Sequence, residues 1–132
     1  MDLLLKLFHG THRFRALVVD DNSDLARLVS ILLEHCGFEV RTLANGHSVL
    51  MTARAFRPHV ILLDIGLPGL DGYQVATLLR DDPDLKSIVI IAASAYNPDT
   101  CPDKSLLAKF DHYLVKPYDF RSLVSLLQAK LL

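Results

Sequence analysis

The chain has 132 residues, about half of them apolar, and 14 basic against 15 acidic residues give a net charge of −1. That is the size and apolar content of one domain with its own core. The charge balance argues against the basic surface of a nucleic-acid-binding domain, and no apolar run reaches the roughly 18 residues of a membrane-spanning helix.

Residues 1–13 read as an N-terminal extension and residues 14–132 as the domain. The extension is apolar from Met1 to Phe8 and then loop-like through His9-Gly10-Thr11-His12. It is short for a signal peptide and has no small-residue cleavage pattern. His9 and His12 alone are weak evidence for a metal site.

Five β-rich runs follow, at Phe14–Val19, Phe38–Leu43, His59–Leu63, Ser87–Ala93 and His112–Val115. Three of them contain continuous apolar stretches (Leu17-Val18-Val19, Val60-Ile61-Leu62-Leu63, Ile88-Val89-Ile90-Ile91), as in strands covered on both faces of a parallel sheet. Between the runs the apolar period is helical. Leu25, Leu28, Val29, Leu32 and Cys36 predict a helix capped at Asn22 or Ser23 and stopped by Gly37. Val49, Leu50 and Ala53 predict a second helix, and Val75, Leu78 and Leu79 a third. Phe120, Leu123, Val124, Leu127 and Leu131 predict the last, with Asp119 as its cap. Between the fourth and fifth runs, Pro98 and Pro102 exclude a full-length helix and leave a short one starting near Asp103. Strict alternation of strand and helix predicts a doubly wound α/β sandwich.

Ligands of open parallel sheets bind at the carboxyl ends of the strands. Those ends carry Asp20 and Asp21, then Asp64, then Ser94, then Lys116 followed by Pro117; the second strand carries no such group. Taken singly, each is an ordinary cap or turn residue. Together, three carboxylates repel unless a cation joins them, and one lysine ammonium does not neutralise three. Oxygen ligands of this kind suit a hard ion, Mg²⁺ first. A carboxylate beside such an ion and an ammonium is a candidate nucleophile toward phosphorus, forming an acyl phosphate. Among the other polar residues, Asp71-Gly72 reads as a turn and Asp81-Asp82-Pro83-Asp84 as a solvated helix end. His35, His47, His59 and His112 share no ligand spacing. Cys36 and Cys101 form no framework and read as reduced thiols of a cytosolic protein.

The segments Val18-Val19-Asp20-Asp21-Asn22, Leu63-Asp64-Ile65-Gly66-Leu67-Pro68-Gly69-Leu70-Asp71-Gly72-Tyr73, Ala93-Ser94-Ala95 and Tyr113-Leu114-Val115-Lys116-Pro117 resemble the response-regulator receiver family of two-component signalling, over about Arg13 to Leu132. The wording around Asp64 and Lys116 is also similar to receivers attached to hybrid histidine kinases. The resemblance implies a flavodoxin-like three-layer sandwich, its five-stranded parallel sheet ordered 2-1-3-4-5. It implies Asp64 as phosphoacceptor, and Mg²⁺ held by Asp20, Asp21, Asp64 and the Gly66 carbonyl. It implies Ser94 and Lys116 on the phosphoryl oxygens, Ser94 and Tyr113 as the switch, and a cis bond before Pro117. Implied partners are a histidine kinase or histidine phosphotransfer protein, and a downstream protein met by the fourth helix, strand 5 and last helix. A homodimer is allowed; direct nucleic-acid contact and a membrane span are not expected. The location implied is the cytoplasm, and no enzymatic turnover is expected beyond the domain's own phosphorylation and dephosphorylation.

Lys109 departs from the glycine usual before strand 5. Gly66 and Tyr96 stand where the family tunes phosphoryl lifetime. Two other functions compete with this one. An aspartyl phosphatase would carry a second acid where Gly66 stands, and a pseudo-receiver would lack part of the set. With no output domain after Leu132, the chain reads as a stand-alone receiver, a phosphorelay intermediate or part of a longer protein.

Overall fold

A computed structural model describes residues 13–67, 69–95 and 109–132. The expectations for residues 1–12 with His9 and His12, for Pro68, Tyr96, Pro98, Cys101 and Pro102, and for a helix from Asp103, fall outside them. The strands are β1 (Arg15–Val19), β2 (Glu39–Leu43), β3 (Val60–Asp64), β4 (Val89–Ser94) and β5 (His112–Val115). The described helices are α1 (Ser23–His35), α2 (Val49–Phe56), α3 (Gly72–Asp81) and α4 (Phe120–Leu131). All strand pairs are parallel and the order is β2-β1-β3-β4-β5, the flavodoxin-like topology.

Alternation along the strands divides the core into two layers. Ala16, Val18, Val60, Leu62, Ile91 and Ala93 face α1 and α4, meeting Val29, Leu33, Val124 and Leu127. Leu17, Val19, Ile61, Leu63 and Ile90 face α2 and α3, meeting Val49, Ala53, Val75 and Leu79. The central strands β1, β3 and β4 are apolar along their interiors, polar only at Arg15, Asp64 and Ser94 at their ends, because each of their faces has a helix layer to fill.

Several boundaries differ from the sequence expectation by a residue or two. The changes that matter are at β3 and β4, which run on to include Asp64 and Ser94 as their last residues. Continuing backbone pairing explains this, since Ile65 N still donates to Ala93 O (3.0 Å) and Lys116 N to Ser94 O (2.7 Å). The buried stripe of α1 is Ala26, Val29 and Leu33, continued by Cys36. Leu28 and Ile31 are 54% and 43% exposed, so the stripe expected through Leu28 is rotated. In α3 the buried residues include Ala76, and Leu78 faces out. The α4 stripe is as expected, with Leu123, Val124 and Leu127 buried and Phe120 and Leu131 packed at its margins.

Caps fix where the helices begin. The Asn22 side chain accepts from Leu25 N, and the Asp119 side chain from Ser122 N. Asp71 and Gln74 form a reciprocal capping box, so Asp71-Gly72 is the start of α3 and not merely a turn before it. Asp82 is tied to Arg54 at 2.7 Å. His59 accepts at Nδ1 from Arg15 N (3.0 Å), bracing β3 to β1. Lys109 needs no glycine, since Arg57 is the one non-glycine residue of positive φ among the described residues. Cys36 is a free, buried thiol whose pKa burial pushes up.

Candidate functional site

Sheet register brings the acidic residues together. Val19 is paired with Leu63, so the next residues, Asp20 and Asp64, lie side by side at the ends of β1 and β3. Asp64 is paired with Ala93 and Ser94 with Val115, which places the end of β4 and then Lys116 beyond them. The peptide between Lys116 and Pro117 is cis.

Asp20, Asp64 and Ser94 are the buried polar side chains among the described residues, with 7%, 8% and 2% exposure. Asp21 is exposed. Asp20, Asp21 and Asp64 each offer an oxygen within 4.8 Å of the others, the one such acidic group among the described residues. Lys116 Nζ lies 2.8 Å from Asp20 Oδ2 and 3.5 Å from Asp64 Oδ2. The lysine therefore spans both buried carboxylates and is closer to Asp20. Asp20 Oδ1 accepts from Asn22 N (2.9 Å), and Asp64 Oδ1 from Gly66 N (3.0 Å).

These contacts set the protonation behaviour. Burial pushes the Asp64 carboxyl above its ordinary value; the Gly66 N–H and Lys116 pull it down, the Asp20 charge pushes it further up, and the net direction is upward. For Lys116, burial alone would lower the ammonium's pKa, but Asp20 and Asp64 more than offset it and the net direction is up. Burial, with the Asp20 and Asp64 charges, lifts the Tyr118 phenol to about 12. Tyr118 was missed in the sequence. Its one available signal was its place two residues after Lys116.

A raised acid pKa has a definite sign in stability. The folded state binds the Asp64 proton more readily than the unfolded chain does, so ionised Asp64 costs stability at neutral pH. That cost disappears as pH falls through the folded pKa. In metal-free buffer, Asp64→Asn should therefore melt above wild type at neutral pH, and the gap should close on acidification. Thermal melts across that range check this; a gap that widens toward acid contradicts the sign.

Three carboxylates against one ammonium leave two negative charges. A hard divalent cation with oxygen ligands fits that deficit and that donor set. Asp20, Asp21 and Asp64 are the side chains placed to hold it. The space beside Gly66 is open: an added Cβ would meet only Asp64 Oδ1, at 3.7 Å. Asp82 and Asp84 do not form a second such group: Asp82 Oδ1 accepts from Asp84 N, and Asp82 Oδ2 pairs with Arg54.

The model of the response regulator receiver domain family matches residues 16–128. The DNA-binding response regulator MtrA of Mycobacterium tuberculosis is 36% identical over 121 residues, covering 92% of this chain and 52% of that protein. The transcriptional regulatory protein PrrA of the same organism is 41% identical over 118 residues, covering 89% and 49%. The chain thus spans about half the length of these relatives. A CheY-like receiver domain from Methylobacillus flagellatus superposes with a TM-score of 0.80 at 30% identity, covering 89% of this chain and 98% of that one. The receiver domain of sensor histidine kinase PA1611 from Pseudomonas aeruginosa, solved with magnesium coordinated in its active site cleft, superposes with a TM-score of 0.80 at 28% identity, covering 91% and 98%.

Proposed function

Because the chain belongs to the response-regulator receiver domain family of two-component signalling, we propose that it accepts a phosphoryl group on Asp64 and changes its partner-binding surface in response. The observation that carries this reading is the Lys116 ammonium, held 2.8 Å from Asp20 and 3.5 Å from Asp64 within the acidic group.

In the proposed step an Asp64 oxygen attacks phosphorus of a phosphohistidine on a histidine kinase or histidine phosphotransfer protein. The new O–P bond forms as the P–N bond breaks, and the electron pair leaves on the imidazole, which takes a proton. Asp20, Asp21, Asp64 and the Gly66 carbonyl would hold Mg²⁺, which when bound supplies neutralisation of the phosphoryl oxygens. Lys116 carries positive charge to the same oxygens, and its raised pKa keeps it charged at neutral pH. The Ser94 hydroxyl, at the end of β4, donates to another. Gly66 offers no acid or base for turnover, which favours a lasting phosphoform over phosphatase chemistry.

Downstream, Ser94 moving toward the phosphoryl group would vacate space beside β4. Tyr113, paired with Ala92 in the adjacent strand, would fill it. The surface of β5, α4 and the segment preceding β5 is then the proposed contact for a protein partner, a second copy of the chain being one candidate. Among the described residues no helix is long and apolar enough to cross a membrane. We place the domain in the cytoplasm, where phosphohistidine donors of this class work. No nucleic-acid contact is assigned to the domain itself.

Metal titration tests the site. Mg²⁺ binds the folded state, so millimolar Mg²⁺ should raise the melting temperature by mass action. Asp21→Ala, which alters an exposed side chain, should fold as wild type and lose most of that rise. The same rise in both proteins would put the metal elsewhere.

A further inference from the structure

Arg80 lies in the last turn of α3, at the opposite end of the parallel sheet from Asp64. Its side chain is only 20% exposed and every nitrogen of its guanidinium donates a hydrogen bond. Nε donates to Lys109 O (2.9 Å), Nη1 to Lys86 O and Ile88 O (2.7 Å each), and Nη2 to Asp111 Oδ2 (2.8 Å). The same Asp111 oxygen accepts from Ile90 N (2.8 Å), and Asp111 N donates to Ile90 O (2.8 Å). One planar fork thus joins the end of α3, the approach to β4 and the approach to β5. Lysine, a point charge without the fork, cannot make this set of bonds.

The placement matters because, among the described residues, β5 is a four-residue edge strand paired only with β4. An edge strand held on one side can swing as a unit when groups beside it move. Tyr113 stands two residues beyond Asp111, and Lys116 five beyond. With the amino end pinned at Lys109 and Asp111, a displacement starting at Ser94 must be taken up toward the carboxyl end of β5. We infer that Arg80 is a positioning residue that pins the amino end of β5 and sets the boundary of the phosphorylation-dependent change. This rests on the receiver reading proposed above.

The test uses backbone amide spectra of the full chain, with and without beryllofluoride and Mg²⁺, for wild type, Arg80→Lys and Arg80→Gln. In wild type, Gly66, Ser94, Tyr113 and Lys116 should shift, while Lys86, Ile88, Ile90 and Asp111 stay within a small fraction of the Tyr113 shift. In both variants the perturbation should spread to Ile88, Ile90 and Asp111. Labelling of Asp64 by acetyl phosphate should be unchanged, since Arg80 does not touch the site. Wild-type shifts at Ile88 and Asp111 as large as at Tyr113 overturn the inference, and so does an unchanged boundary in the variants. If the variants fail to fold, the wild-type map alone decides. No response at Gly66 and no labelling of Asp64 would instead overturn the receiver reading.

Discussion

Asp64→Ala should abolish phosphoryl labelling. Incubated with acetyl phosphate and Mg²⁺, wild type should gain the mass of one phosphoryl group and Asp64→Ala none. The expectation is total loss because the other carboxylates are differently engaged. Asp20 is bonded through one oxygen to Lys116 and through the other to the Asn22 amide, and Asp21 is exposed. Lys116→Met should keep the acceptor but slow labelling on the order of 10²-fold, the usual cost of removing one group that stabilises developing charge. Labelling should also fall as acid protonates Asp64, since the protonated carboxyl is a poor nucleophile. Intact-mass spectra decide the matter. Equal labelling of wild type and Asp64→Ala removes the acceptor assignment, and an unlabelled wild type makes the chain a pseudo-receiver.

What could be read from the sequence divides along physical lines. The gathering of Asp20, Asp64, Ser94 and Lys116 is legible because it follows from where apolar runs stop, whereas the order of the strands is implied by the family resemblance alone. A parallel sheet must put those stops on one edge. The phase of α1 was not legible. Seven of its 13 residues are apolar, so more than one stripe satisfies a spacing of three and four. Only the sheet selects Ala26, Val29 and Leu33, leaving Leu28 and Ile31 outside. The strand ends slipped by one residue at Asp64 and Ser94 because polar side chains look like the close of a strand while their backbones still pair. That the Lys116 ammonium sits nearer Asp20 than Asp64 follows from side-chain geometry the sequence does not carry. Arg80 was invisible: a single arginine in a helix looks like surface charge until the three carbonyls around it are known.

Gly72→Ala should damage fold and site together. Sequence alone reads Gly72 as the glycine of a turn. In the fold it is the first residue of α3, capped by Asp71 and seated against the back of the acceptor strand. A Cβ there would lie 2.6 Å from Ile65 Cα and 2.8 Å from the Asp64 carbonyl oxygen. Both are backbone atoms and cannot rotate away. Gly72 N also donates to Ile65 O (3.1 Å), so α3 cannot retreat without losing that bond. The position is not one of positive φ, so strain in the backbone angle is not the cause; lack of room is. Overpacking of this kind costs about 1–3 kcal/mol, which should lower the melting temperature by several degrees. The backbone pushed is that of Asp64 and Ile65, and the Gly66 amide that bonds Asp64 Oδ1 follows directly in the chain. Labelling by acetyl phosphate should therefore slow even well below the melting temperature. Gly66→Ala is the control: its Cβ would meet nothing closer than 3.7 Å, so its melting temperature should stay near wild type. Equal melting temperatures for Gly72→Ala and Gly66→Ala would show that α3 can shift away from β3, and that the close approach at Gly72 is not what seats the acceptor.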